Sequence, residues 1–239
     1  MTLKIANIIA FGLMIYMNYL ANALPINGKT TGELSAQYPN LFVPAGITFS
    51  IWGVIYLMLA GFCVLQFTSQ NKGLVQSLGW LFVLTCIFNG AWIVAWHYQQ
   101  LPLSVLIMTG LLVALILINS RLAPIPNGLI KAAFGIYLGW ICIAMIANVT
   151  AWLVDLNWGG LGLSEQAWAM IMILTGSSIA IYAIIRLNNP FVGLAVIWAL
   201  TGIILKRQAD YMSIVVVATI GIAIVAVTTG WIFFRKIPT

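Results

Sequence analysis

Acidic side chains are almost missing from this sequence, which has four Asp and Glu and a single His in 239 residues. Charged residues make up 6% of the chain, where a soluble domain carries about a quarter. So few ligand-type groups exclude a metal centre rich in His and carboxylate. Asp155, Glu165 and Asp210 fall between apolar runs rather than within them. Proton- or sodium-coupled transport is thereby disfavoured, because such carriers need an ionisable group near mid-membrane. Cysteine is scarce too. Cys63, Cys86 and Cys142 are odd in number and sit in apolar segments, so neither a disulfide framework nor a CxxC metal site is expected. Internal repeats, low-complexity stretches and linkers are also lacking.

Apolar residues fill that space. The chain is 63% hydrophobic with a mean hydropathy of +1.08, which describes an all-α integral membrane protein. Long apolar runs cover about 3–24, 45–67, 74–98, 103–122, 130–154, 166–187, 191–205 and 212–234, predicting eight transmembrane helices. The first run follows only Lys4 but is too long for a signal-peptide core, and it is read as a span. The seventh is short for a full crossing.

The net charge of +6 is no nucleic-acid footprint, because the Lys and Arg residues sit at helix ends and in loops. Eight crossings put Lys4, Lys72, Arg121, Lys131, Arg186, Arg235 and Lys236 on one side. Lys29, Lys206 and Arg207 fall on the other, together with all four acids. The positive-inside rule then places both termini in the cytoplasm and the longest polar segment, residues 25–44, outside. A loop of that length is a candidate lid.

Beneath it, several aromatic and amide groups share one depth. The stretch YLGWICIAMIANVTAW, residues 137–152, sets Trp140, Ala144, Asn148 and Trp152 at steps of four, along one helical stripe. At about 1.5 Å per residue, Trp52, Asn89, Trp92, Ala144 and Asn148 lie roughly 9–15 Å below the outer face, with Tyr56 deeper. A lipid-facing helix has little use for an amide, since an unpaired one costs a few kcal/mol in hydrocarbon. Two readings stay open on spacing alone. Asn89 and Asn148 can act as interhelical glue, bonded to each other or to a neighbouring backbone. Trp96, Trp152, Trp158, Trp168 and Trp231 can be interfacial anchors. Alternatively, the groups wall an aromatic pocket under the lid. His97, near the end of its run, reads as an interfacial residue rather than an iron ligand. Gly135 and Gly139 form a small-xxx-small pair suited to close helix packing.

Three motifs carry a family resemblance. Residues 137–152 read Y-L-x-W-x3-A-x3-N-x3-W; Pro44, Trp52 and Tyr56 read Pro-x7-Trp-x3-Tyr; Asn89 and Trp92 read Asn-x-x-Trp. In order and helix number they resemble the TspO/translocator-protein family of tryptophan-rich sensory proteins. The resemblance covers residues 3–158 and implies a five-helix bundle with a lid at 25–44, followed by a three-helix C-terminal extension over 159–239. It also implies binding of a tetrapyrrole, such as a porphyrin or haem, or of another flat hydrophobic ligand. Carried over residue by residue, Trp52, Tyr56, Asn89, Trp92, Tyr137, Trp140, Ala144 and Asn148 form the expected binding site, with Ala144 small enough for a planar ligand to lie close.

The family's Trp-Tyr and Lys-Pro-x-Trp lead-in to its paired prolines is absent, with only Tyr38 and Pro39 in that region and Ala45 as the second proline. The expected partners are the lipid bilayer, one hydrophobic small molecule and a homo-oligomeric copy, in a bacterial inner membrane. No obligatory cofactor and no resident metal are expected. Light-driven tetrapyrrole breakdown is the one activity the resemblance suggests, with Trp92 and Trp140 as its candidates. Passive transport of a small hydrophobic molecule is the alternative to a sensory or binding role.

Overall fold

The computed structural model describes residues 1–23 and 26–235, so Leu24, Pro25 and the C-terminal stretch from Lys236 lie outside the described residues. Ten α-helices and no strand occur among the described residues. They are α1 (Thr2–Ala23), α2 (Thr31–Ala36), α3 (Ile51–Leu65), α4 (Lys72–Leu78), α5 (Leu81–His97), α6 (Leu101–Leu122), α7 (Leu129–Asp155), α8 (Glu165–Arg186), α9 (Phe191–Arg207) and α10 (Met212–Phe234). Six helical stretches are long and apolar enough to cross a membrane. The broken pair α4–α5 raises the number to seven. At 17 residues, α9 is about 25 Å long. It is buried along much of its length between α7, α8 and α10.

The 27-residue α7 is the spine of the molecule. One side packs on α3 and α6, another on α8 and α9. Its fit to α9 depends on the small pair noted in the sequence. A Cβ at Gly139 would stand 2.2 Å from the Val192 carbonyl oxygen, and one at Gly135 would stand 2.5 Å from Asn189 Oδ1. No larger residue allows that approach. Across the bundle, Phe62, Phe82 and Phe134 meet edge-to-face at centroid distances of 4.9–5.8 Å and join α3, α5 and α7.

Buried polar groups tie the helices where apolar packing alone sets no register. Asn189 Nδ2 donates to Asn119 Oδ1 at 2.7 Å and to the Lys131 carbonyl at 2.9 Å. Lys131, 1% exposed, caps the Ala123 and Ile125 carbonyls. Gln66 ties α1 to the end of α3 by accepting from Asn7 and donating to the Lys4 carbonyl. All three cysteines are free and buried.

The continuous run predicted over 74–98 is broken. Gly79 takes φ 55° and ψ −136°, which an L side chain rarely adopts, and α4 and α5 diverge by 61° there. Arg121 donates to the Ser77 and Leu78 carbonyls and so satisfies the end of α4. The loop predicted over 25–44 also contains structure of its own. Thr30 caps α2 by accepting from the Glu33 N–H at 3.3 Å, while Glu33 accepts from the Thr30 N–H at 2.7 Å. Farther along, Asn40 Oδ1 accepts from the Phe42 and Val43 N–H groups and folds the chain back toward α3.

Candidate functional site

The lid lies over two adjoining cavities, of about 690 Å³ and about 60 Å³. The larger reaches from α1, at Asn18 and Tyr19, to Tyr56 on α3 and Lys206 on α9. The smaller sits against α7, where Trp140, Ala144, Ala147 and Asn148 form its wall. Both are bounded by Thr31, Phe49, Trp52 and Trp92. A third cavity, of about 320 Å³, opens on the other side of the lid between Leu41, Trp158 and Trp168.

The walls are aromatic and interlocked. Trp52 stacks on Tyr56 at 5.5 Å and meets Tyr137 and Trp140 edge-on at 5.8 and 6.2 Å. Trp92 stacks on Trp96 at 5.7 Å, and Trp96 packs on Tyr38 of the lid at 6.0 Å. Such pairs hold one another's ring planes, so the flat faces are in place before any guest arrives.

Of the eight residues expected from the sequence, Trp52, Tyr56, Trp92, Trp140, Ala144 and Asn148 line one or both lid cavities. Asn89 and Tyr137 do not. They are fully buried below, where Asn89 Oδ1 accepts from Asn18 at 2.7 Å and Asn89 Nδ2 donates to the Tyr137 hydroxyl at 3.0 Å. Asn89 and Asn148 do not bond to each other. Asn148 Oδ1 accepts from Ser104 on α6 at 3.0 Å, and its Nδ2 lies 3.8 Å from Met108 Sδ. Both amides thus act as glue between helices, and Asn148 also borders the small cavity.

Two positions differ from expectation. His97 is not interfacial: it is 0% exposed, with Nδ1 2.8 Å from the Ile93 carbonyl oxygen and its own carbonyl accepting from Asn27. Trp96, expected as an anchor, is 5% exposed and lines the small cavity. Asn18 and Thr31 were not singled out in the sequence, and Lys206 and Arg207 entered only through the charge count, not as site residues. For Asn18 the signal was available, since it is an amide inside an apolar run, as Asn148 is.

The lid is fastened from the far end of the chain. Arg207 donates to the Asn40 and Leu41 carbonyls at 2.7 and 3.1 Å, and Lys206 reaches the Pro44 carbonyl at 3.5 Å. The Ala45 N–H donates to the Gly202 carbonyl, and the Trp198 indole donates to the Thr48 carbonyl. Gly202 admits this contact because a Cβ there would lie 2.0 Å from Thr48 Oγ1 and 2.9 Å from Pro44 Cβ. Within the lid, hydrogen bonds from the Thr30 backbone and hydroxyl hold the Glu33 carboxyl below its ordinary range. Burial, and then the Asp155 charge, push the Tyr38 phenol up.

A family model described as TSPO-like protein matches residues 4–231, nearly the whole chain. The chain belongs to the TSPO-like family. No curated protein and no solved structure matches it. In this TSPO-like protein the match runs past Trp158, where the motif resemblance ends, through α8 and α9 and into α10. The three C-terminal helices therefore fall within the region that the family model describes. Its apolar helices place this TSPO-like protein in a lipid bilayer as a multi-pass membrane protein.

Proposed function

We propose that this TSPO-like membrane protein binds a flat hydrophobic ligand of tetrapyrrole type beneath its lid and serves as a binding or sensory protein. The observation that carries the proposal is the pair of adjoining cavities whose common wall includes Trp52 and Trp92, with Ala144 opposite. A volume of about 690 Å³ lies in the range of sites that enclose drug-sized ligands. Its indole and phenol faces suit stacking against a conjugated ring. With α9 counted as an eighth crossing, the charge asymmetry supports a lid on the outer side of the membrane and both termini inside.

The test is a titration of the purified full chain with protoporphyrin and haem, followed by tryptophan fluorescence. Saturable quenching in the micromolar range is expected. Ala144→Leu, which fills the smaller cavity, and Trp52→Ala, which removes the shared wall, are both expected to weaken it. Absence of saturable quenching by either tetrapyrrole refutes the proposal. Protein-dependent flux of the bound tetrapyrrole across proteoliposomes would move the assignment from sensor to passive transporter.

A further inference from the structure

The third cavity lies apart from the two lid chambers. Only Asn40 borders both it and the smaller of them, and it shares no lining residue with the larger. One wall is the lid segment at Leu41 and Phe42, and another is the last turns of α7. The rest comes from the 158–163 loop and the first turns of α8. The cavity therefore exists only because further helices follow α7. Its volume of about 320 Å³ stands at the small end of ligand sites.

Two indoles and one carboxylate give it its chemistry. Trp158 and Trp168 stand 5.0 Å apart between centroids at an angle of 59°, and Trp158 keeps 39% of its surface accessible. Trp168 uses its only donor on the Gly160 carbonyl at 2.7 Å, so what it offers a guest is its ring. Among the described residues, Glu165 is the one charged side chain that lines the cavity. It opens α8, where the helix dipole favours its ionised form. Asp155 ends α7 and Asp210 precedes α10, so the acids of the chain gather at this end of the bundle. The nearby Arg207 directs its Nε and Nη2 to the Leu41 and Asn40 carbonyls rather than to Glu165.

We propose that this cavity binds a small organic cation of quaternary-ammonium type, seated against the Trp158 and Trp168 rings with Glu165 as its counter-charge. Aromatic faces attract such a cation and ask no hydrogen bond of it. A neutral guest would leave the carboxylate without a role, and an anion would be repelled by it. A membrane headgroup can present the same ammonium, but its phosphate would approach Glu165 and Asp155. The occupant is therefore a free solute.

The test is equilibrium dialysis of radiolabelled phenyltrimethylammonium against the full chain in uncharged detergent. Saturable binding of one cation per chain is expected. Choline should displace it about tenfold or more better than its uncharged carbon isostere, 3,3-dimethylbutanol. Trp168→Leu is expected to weaken binding about tenfold. Glu165→Gln should weaken it severalfold at an unchanged Tm, which shows that the loss is not one of folding. Ala144→Leu, in the lid chamber, should leave it as in wild type. Absence of saturable binding, equal displacement by the neutral isostere, or wild-type affinity in both Trp168→Leu and Glu165→Gln overturns the inference. Loss of binding in Ala144→Leu places the cation under the lid and overturns it too. Displacement by lysophosphatidylcholine but not by choline gives the site to a headgroup and overturns the assignment to a solute.

Discussion

Replacing Gly139 with alanine tests whether α7 and α9 are locked at van der Waals distance or merely adjacent. The added Cβ would stand 2.2 Å from the Val192 carbonyl oxygen, where ordinary contact begins near 3.4 Å. The obstacle is main chain inside a helix, so no rotamer change relieves it. The helices must separate by about 1.2 Å, and the layer around Ala195 and Val196 opens with them. Overpacking of this kind costs roughly 1–3 kcal/mol. For a chain of this size each kcal/mol lowers Tm by about 2–4 °C, giving an expected fall of about 2–12 °C, read by circular dichroism in detergent. Gly12→Ala is the control. A Cβ there meets nothing within 4 Å, and alanine favours the helix by roughly 0.5–1 kcal/mol over glycine, so its Tm should hold or rise. If Gly139→Ala melts with wild type, or if both variants shift alike, α7 and α9 do not pack as described.

Arg207→Met removes both side-chain hydrogen bonds to the Asn40 and Leu41 carbonyls. It should speed protease cleavage within residues 37–45 severalfold at little cost in Tm, whereas an unchanged cleavage rate would show that Arg207 does not hold the lid. Asn89→Leu strips partners from Asn18 and Tyr137 at once. It should destabilise the fold by about 2–4 kcal/mol, seen as a fall in Tm, and a neutral result would contradict the buried network. The Glu33 carboxyl is held below its ordinary value of 4.5 by hydrogen bonds from Thr30, so folding of α2 favours its charged form. That support is present above 4.5 and is lost as pH falls through the lowered folded value. Amide exchange in α2, corrected for intrinsic rates, should therefore quicken between about pH 6 and about pH 3, and Glu33→Gln should flatten the change.

What the sequence disclosed follows from the range over which each cause acts. Hydropathy is summed over whole helices, and α8 and α10 accordingly begin and end where the apolar runs do. The break at Gly79 depends on one residue's φ and ψ inside an unbroken apolar run, so composition could not reveal it. Helix α2 was legible in principle, because Thr30 and Glu33 have capping-box spacing, but six polar-rich residues leave no hydropathy trace. Depth along each span brought Trp52, Trp92, Ala144 and Asn148 to one level, and they line the cavities as a group. Asn89 shares the level but faces another way, toward Asn18 and Tyr137. Rotation about the helix axis, set by partners such as Asn18, is what depth alone cannot supply. The grip of α9 on the lid joins residues more than 160 positions apart, and no local pattern encodes it.

That separation has a consequence for how the protein is made. The lid leaves the ribosome early, yet Arg207 and Gly202, which fasten it, lie 166 and 157 residues beyond Leu41 and Ala45. Six long helices precede α9, so the lid can already rest on α5, through Tyr38 on Trp96 and Asn27 on the His97 carbonyl, while its Arg207 and Gly202 contacts are still missing. Long-range contacts form last because the intervening chain must first be ordered. Full fastening of the lid therefore waits for α9, and a chain that stalls before it keeps only the α5 side of that closure.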